Sequence, residues 1–271
     1  MDLACQIARK TDSDVVALHV LDHTGLFDFS AGGSAYPLMG NTAGLDLDQK
    51  FMESLYNSAE EKCAKFLEEF ETSGIKITKK IKIGSAYHYI SEEIDEQKTD
   101  LIIMGSKGSS GMEEVLIGSN TEKVVRHASC PVLTVKSQKN LEDVKDIAFA
   151  TSFKEGDSHV TEELLKLQEV FDAKLHLVRV NTPNNFETNR RIMAKAHKFV
   201  EENNISNYTI NIYSDKVEED GIIFFAQDND ADLIALATHG RTGIAHLLSG
   251  SIAEDVVNHA KRPVWTFRLK H

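Results

Sequence analysis

Residues 100–136 lie over residues 232–268 at a constant offset of 132 without a gap, and 16 of the 37 positions are identical. DLIIMGSKGSSGMEEVLIGSNTEKVVRHASCPVLTVK matches DLIALATHGRTGIAHLLSGSIAEDVVNHAKRPVWTFR, with Gly108/Gly240, Gly118/Gly250, Ser119/Ser251, Glu122/Glu254 and Pro131/Pro263 in register. The offset is a domain's length, far beyond the roughly 20–50 residues of a solenoid repeat, so it marks a duplication. A chain of 271 residues has room for two domains of about 100–150 residues each. The seam is expected between Lys136 and Asp143, where SQKNLED is polar and aperiodic. The first domain is therefore expected at 1–138 and the second at 144–271.

Within each half, short β-rich runs alternate with helical patterns, which predicts a parallel sheet flanked by helices. In the second half the strands read IAFAT (147–151), LHLVRV (175–180), YTINIY (208–213), LIALA (233–237) and VWTF (264–267). Between the first two, Val160, Leu164, Leu167 and Phe171 recur three or four apart and give a helix over 158–171 one apolar face. The first half repeats this order with strands at 15–20, 76–83, 101–104 and 132–135 and helices around 50–72 and 87–97. Phe51, Leu55, Phe66, Leu67 and Phe70 are expected on the buried side of the longer helix. Residues 24–48 hold several glycines and isolated aromatics without a period, which predicts a long loop. The expected class is α/β, two doubly wound parallel-sheet domains in tandem.

The first half is short at its start. Aligning Val20 with Val180 gives an offset of 160, so the counterpart of Ile147 would precede Met1. A first strand is normally central in such a sheet and paired along both edges. Without it, neighbouring strands are expected to leave backbone groups unpaired, at about 1–3 kcal/mol for each one buried.

The formal charge of −12 argues against nucleic acid or an anionic membrane as a partner. No apolar run approaches the roughly 20 residues that span a bilayer, and MDLACQIARK lacks a secretory leader's apolar stretch. A cytoplasmic location is expected. Cys5, Cys63 and Cys130 are far apart and form no C-x-x-C pair, so reduced, mostly buried thiols are expected. Eleven histidines show no H-E-x-x-H or Cys/His cluster, so no metal site is expected. His127 and His259 match in the repeat and are expected at helix ends. There is no G-x-S-x-G elbow, no P-loop and no dinucleotide G-x-G-x-x-G after a first strand, so no catalytic residue is assigned.

The chemistry lies where Gly105-Ser106-Lys107-Gly108 follow the strand LIIM and Gly118-Ser119 open the next helix nine residues later. Glycines let backbone amides approach an anion, and a helix start offers free N–H groups with the positive end of its dipole. Ser119 and Glu122 also form S-x-x-E, as do Ser251 and Glu254; alone, that pattern is read as a helix-capping box.

Together, G-x2-G-x9-G-S after an apolar strand and before RHASCPVLTVK resembles the universal stress protein family, whose ATP-binding members carry this pattern. The resemblance covers nearly the whole chain, twice, and implies an adenine-nucleotide α-hydrolase-like fold binding ATP, ADP or AMP, with Mg as an accompanying ion, in the stress response. It implies phosphate or ribose contacts from Gly105, Gly108, Gly118, Ser119 and Asn120, with Met104 and Val20 lining the adenine. A second, altered site is implied at Val180, Gly240, Gly250 and Ser251. There Ala237 stands where the first repeat has Gly105, and Ser152 where nucleotide-binding relatives usually carry an aspartate. The resemblance also implies a protein partner that reads nucleotide occupancy, and pairing of the two halves near strands 132–135 and 264–267, with a homodimer left open. A nucleotide-free scaffold and a slow ATPase are the competing readings.

Overall fold

The computed structural model describes residues 1–21, 42–70, 74–106, 117–137, 140–153, 158–239 and 250–269. They form two compact units, Leu3–Glu93 and Ile94–His271.

In the first unit, helix α1 (Asp2–Thr11) buries Leu3, Cys5, Ile7 and Ala8 and ends at Asp12, whose left-handed backbone (φ 52°) sends its N–H to the Ala8 carbonyl. Strand β1 (Val15–Leu21) and strand β2 (Ile77–Ile83) pair in parallel, from Val15↔Ile77 to Leu21↔Ile83. Between them runs α2 (Thr42–Glu68). Residues 42–48 are thus helical, which corrects the expectation of loop over 24–48; the remainder, to residue 41, lies outside the described residues. Leu47, Phe51 and Leu55 are four apart, so the apolar spacing of α2 reaches further back than the glycines suggest. Phe66 is 50% exposed, a correction to its expected burial. Helix α3 (Ala86–Gln97) follows β2, and its Glu93 carboxylate accepts two bonds from Lys80 Nζ, at 2.6 and 2.8 Å.

The second unit holds a seven-stranded sheet in the order β3-β4-β9-β8-β5-β6-β7. The strands are β3 (Ile102–Gly105), β4 (Val132–Val135), β5 (Asp146–Ala150), β6 (Lys174–Asn181), β7 (Tyr208–Ser214), β8 (Leu233–His239) and β9 (Val264–Leu269). All neighbours are parallel except β4 and β9, which pair antiparallel through Leu133↔Trp265. The helices are α4 (Ser119–His127), α5 (Ser158–Phe171), α6 (Asn189–Glu202), α7 (Glu218–Asp228) and α8 (Gly250–His259). Strand β8 is central and β5 lies between it and β6, and Phe149, Leu175, Leu177, Leu233, Leu236 and Trp265 are fully buried. Near-continuous apolar runs are what strands covered on both faces require.

The first unit copies part of this sheet residue for residue. At offsets of 160 and 131, β1 and β2 correspond to β6 and β7, and the pair Val15↔Ile77 falls on Leu175↔Tyr208. Asp12 falls on Asp172, also left-handed (φ 50°). What β1 lacks, among the described residues, is the strand that β5 supplies to β6. The strands of the first repeat therefore divide between two sheets, with β3 and β4 attached to the second repeat through β9. Cys5 and Cys130 are buried and Cys63 is half-buried, and none of the three is in a disulfide.

Candidate functional site

Strand β3 carries Met104 and Gly105 to its carboxyl end, where Ser106 leaves the sheet with its N–H on the Val135 carbonyl at 3.0 Å. The Gly118 N–H donates to the Ser106 carbonyl at 2.9 Å, which brings the start of α4 to the end of the strand. The Thr121 hydroxyl, buried, donates to the Gly105 carbonyl at 3.0 Å and fixes the same approach from inside the helix. A helix start is thus held at the carboxyl edge of parallel strands, where open α/β sheets take ligands. Gly105, Gly118, Ser119 and Asn120 converge here, and the Ser106 hydroxyl is buried there without a hydrogen-bond partner. Gly108 lies outside the described residues. Val20 is half-buried near the end of β1, in the other unit.

The capping-box reading of Ser119 and Glu122 is corrected. The cap of α4 is Gly118 (φ −63°, ψ 143°), and no side chain caps it. The first helical turn keeps its outward amides, since Glu122 N–H is the first to reach back, to the Gly118 carbonyl at 3.0 Å. Gly118 is in ordinary extended backbone open to any residue, so the conformation itself does not demand glycine.

In the second repeat Ala237 is buried near the end of β8 and Val180 near the end of β6. Gly250 begins α8, as Gly118 precedes α4, and Ser251 follows it; Gly240 lies outside the described residues. Past β5, Ser152 is followed by Phe153, buried and left-handed at φ 53°. A phenylalanine in that region is uncommon; here its N–H is held by the Thr151 hydroxyl at 3.1 Å and its ring lies edge-on to Phe199 at 5.7 Å. Phe153 therefore packs aromatic bulk into the turn that follows β5.

A cleft of about 540 Å³ opens at the carboxyl ends of β6 and β7, lined by Asn181, Thr182, Pro183, Phe186, Ser214, Asp215 and Lys216. None of the predicted residues lines it. Its wall is stiffened by Asn181, which exchanges two bonds with the Glu187 backbone at 2.9 and 3.0 Å. Burial pushes the Glu187 carboxyl up, but the hydrogen bond and charge of Lys195 at 2.6 Å, with Arg191 and Arg179, outweigh it and hold the group below its usual range. A lowered carboxyl stabilises the fold above its unfolded pKa of about 4.3, and that contribution is lost as pH falls through the folded value. Glu187→Gln is thus expected to lower the urea midpoint at pH 7 and to match wild type more closely at about pH 3.5. A difference that does not shrink on acidification would assign the effect to packing.

Both halves of the chain match one family model, that of the universal stress protein family, over residues 1–136 and again over 144–268. The chain belongs to the universal stress protein family. Two universal stress proteins of Methanocaldococcus jannaschii are similar to it: one is 33% identical over 136 residues, covering 50% of this chain and 72% of the relative, the other 29% identical over 132 residues, covering 47% and 79%. Among solved structures, a universal stress protein from Archaeoglobus fulgidus superposes with a TM-score of 0.71 at 18% identity, covering 98% of this chain and 92% of the other. One from Pseudomonas aeruginosa does so at 0.63 and 19%, covering 98% and 86%. These likenesses show the fold.

Within this universal stress protein, β4 and β9 pair where the two halves are expected to meet, at 132–135 and 264–267, but sequence reasoning misses the contact between their helices. The guanidinium of Arg126 on α4 grips the carboxylate of Glu254 on α8 with two bonds of 2.5 Å and also reaches Glu122 at 3.2 Å; the hydrogen bond and charge of Glu254 raise the Arg126 pKa. Asn258, the repeat counterpart of Arg126, accepts the Ile117 N–H at 2.8 Å and takes Lys136 Nζ on its carbonyl at 2.6 Å. The S-x-x-E glutamates thus serve the α4–α8 contact. The exchange of one repeat's site for the other's is the mark of two-fold pairing, and β4–β9 continues it in the sheet. Among the described residues, no group of three or more His, Cys, Asp or Glu is placed to hold a metal, and no helix is long and apolar enough to cross a membrane.

Proposed function

We propose that this universal stress protein binds an adenine nucleotide, ATP, ADP or AMP, at the first repeat, with the phosphates against Gly105, Gly108, Gly118, Ser119 and Asn120 and the base toward Met104. The observation that carries this reading is the start of α4, held at the end of β3 with its first amides uncapped by any side chain. An anion satisfies such amides and the helix dipole together. The glycine at 118, which the backbone does not require, leaves room for that anion. The domains are 1–138 and 144–271, and occupancy of the first is what a cytoplasmic protein partner would read in the stress response. Hydrolysis, with Mg, would be slow and incidental, because phosphoryl transfer needs a positioned water and charge neutralisation that no named residue provides.

The second repeat is the weaker site in this reading, as Ala237 puts a methyl where Gly105 offers bare backbone and Phe153 fills the strand-one turn. Small molecules released on denaturing the purified protein test the proposal, identified by mass spectrometry for wild type and Gly118→Val/Ser119→Ala. An adenine nucleotide in the wild type, lost in the variant, is the expected result. Added ATP at 100 times its Kd should also raise wild-type stability by about 2.7 kcal/mol. With neither release nor thermal shift, the chain is an interaction scaffold.

A further inference from the structure

Four hydrogen bonds close a ring at the start of α4, and one member of that ring comes from the other repeat. The Ser106 N–H donates to the Val135 carbonyl at 3.0 Å, and Lys136, the next residue, donates from Nζ to the Asn258 carbonyl on α8 at 2.6 Å. The Asn258 side chain accepts the Ile117 N–H at 2.8 Å. The Gly118 N–H then returns to the Ser106 carbonyl at 2.9 Å. Ser106, Ile117, Gly118, Val135 and Lys136 belong to the first repeat, and Asn258 alone belongs to the second. Because a backbone N–H meets it, the Asn258 atom at that bond is its amide oxygen.

The second repeat mirrors only half of this ring. At the offset of 132, Lys136 falls on Arg268, which reaches the His127 carbonyl at the end of α4 at 3.5 Å, one residue past the position that matches Asn258. Asn258 itself falls on Arg126. A guanidinium donates and never accepts, so Arg126 cannot take a backbone N–H from the approach to α8. Its donors go to the carboxylates of Glu254 and Glu122 instead. The two helix starts therefore differ in chemistry at one position: α4 has an acceptor facing its approach from across the joint, and the matching position offers α8 none.

Ile117 is the last residue before the cap of α4. With its N–H tied to α8 and that of Gly118 tied to the end of β3, the backbone enters the helix in one direction, and the N–H groups of Ser119, Asn120 and Thr121 stand ahead of the first helical bond, Glu122 N–H to the Gly118 carbonyl. Removing the acceptor would leave the Ile117 N–H a half-buried donor without a partner, and a ligand would then have to restore the order of this turn itself. We propose that Asn258 is a positioning residue for the first-repeat nucleotide site, the second repeat supplying the acceptor that holds the phosphate-facing turn of α4 in place. This rests on the nucleotide reading above.

The test is calorimetric titration of the full chain with ATP and with adenosine, which lacks the phosphates. Asn258→Leu keeps the size of the side chain without its acceptor, and should weaken ATP about tenfold and adenosine by less than about threefold. Asn258→Asp keeps an acceptor, and at about 0.5 M salt, where the added charge is screened, it should bind ATP within about threefold of wild type. Should Asn258→Leu fail to fold, Asn258→Ala takes its place. Equal ATP affinity in wild type and Asn258→Leu, an equal loss for adenosine, or an aspartate variant as weak as the leucine one overturns the proposal. Hydrogen exchange at the Ile117 amide separates these results from a failure of the nucleotide reading, since it should be about tenfold or more faster in Asn258→Leu than in wild type whether or not nucleotide binds. A wild-type chain that binds no ATP overturns the nucleotide reading and the positioning role with it; unchanged exchange overturns the bond on which the role depends.

Discussion

Trp265→Ala is expected to cost about 3–5 kcal/mol of stability, the usual penalty for removing a large buried aromatic. Trp265 is 1% exposed on β9, the strand that joins the two repeats. It pairs with the fully buried Leu133 across the antiparallel β4–β9 joint and with Ala235 on the parallel side, and it stacks on Phe267 at 6.1 Å and 30°. The small neighbour Ala235 leaves the indole its space, and its methyl is too small to refill it. A loss of this size is a large share of the roughly 5–15 kcal/mol of a typical domain. Trp265→Phe keeps a ring and should lose less than half as much. Urea unfolding followed by circular dichroism measures both, since the variants lack the chain's one tryptophan. A cost under about 1 kcal/mol would mean that the joint is not packed around the indole.

What is legible in the sequence follows from range. The repeat and its apolar runs are local signals, and β5 to β9 fall where those runs stand. The gap before β1 is legible as well, because an alignment offset is arithmetic; its consequence, two strands of one repeat in one sheet and two in another, needs the coordinates. Helix α1 is absent from the sequence reading because it is only ten residues long and stands before the first recognisable strand, although Leu3 and Ile7, four apart, and Cys5 and Ala8, three apart, give it a buried face. At the site, the glycines and the start of α4 are readable as motif, but S-x-x-E is not. Its meaning depends on Arg126 meeting Glu254, 128 residues away in the chain, and no local pattern carries that. Phe153 is unreadable for a related reason: its left-handed backbone is held by Thr151 and by Phe199 on α6, and sequence alone gives a phenylalanine no reason to turn that way.

Gly221→Val should reverse the sign that helix propensity suggests. Gly221 is buried inside α7, where glycine costs a helix about 1 kcal/mol relative to alanine, so any side chain would be expected to help. A Cβ at this position would stand 2.5 Å from Val180 Cγ1 and 3.0 Å from the Asp215 Cβ. Val180 cannot yield cheaply: it is β-branched, 5% exposed and fixed on β6 by pairing with Tyr213. Overpacking of this kind costs about 1–3 kcal/mol, and valine, with two further methyls, should fall at the upper end. Gly221→Ala should still be net destabilising by a smaller amount. The close approach of α7 to β6 is also what seats Val180, one of the residues the family resemblance assigns to the second site. Gly221→Ala combined with Val180→Ala removes the collision, and the double variant should be more stable than the sum of the two single effects by about 1 kcal/mol or more. Strict additivity in thermal or urea unfolding would show that Val180 has room to move.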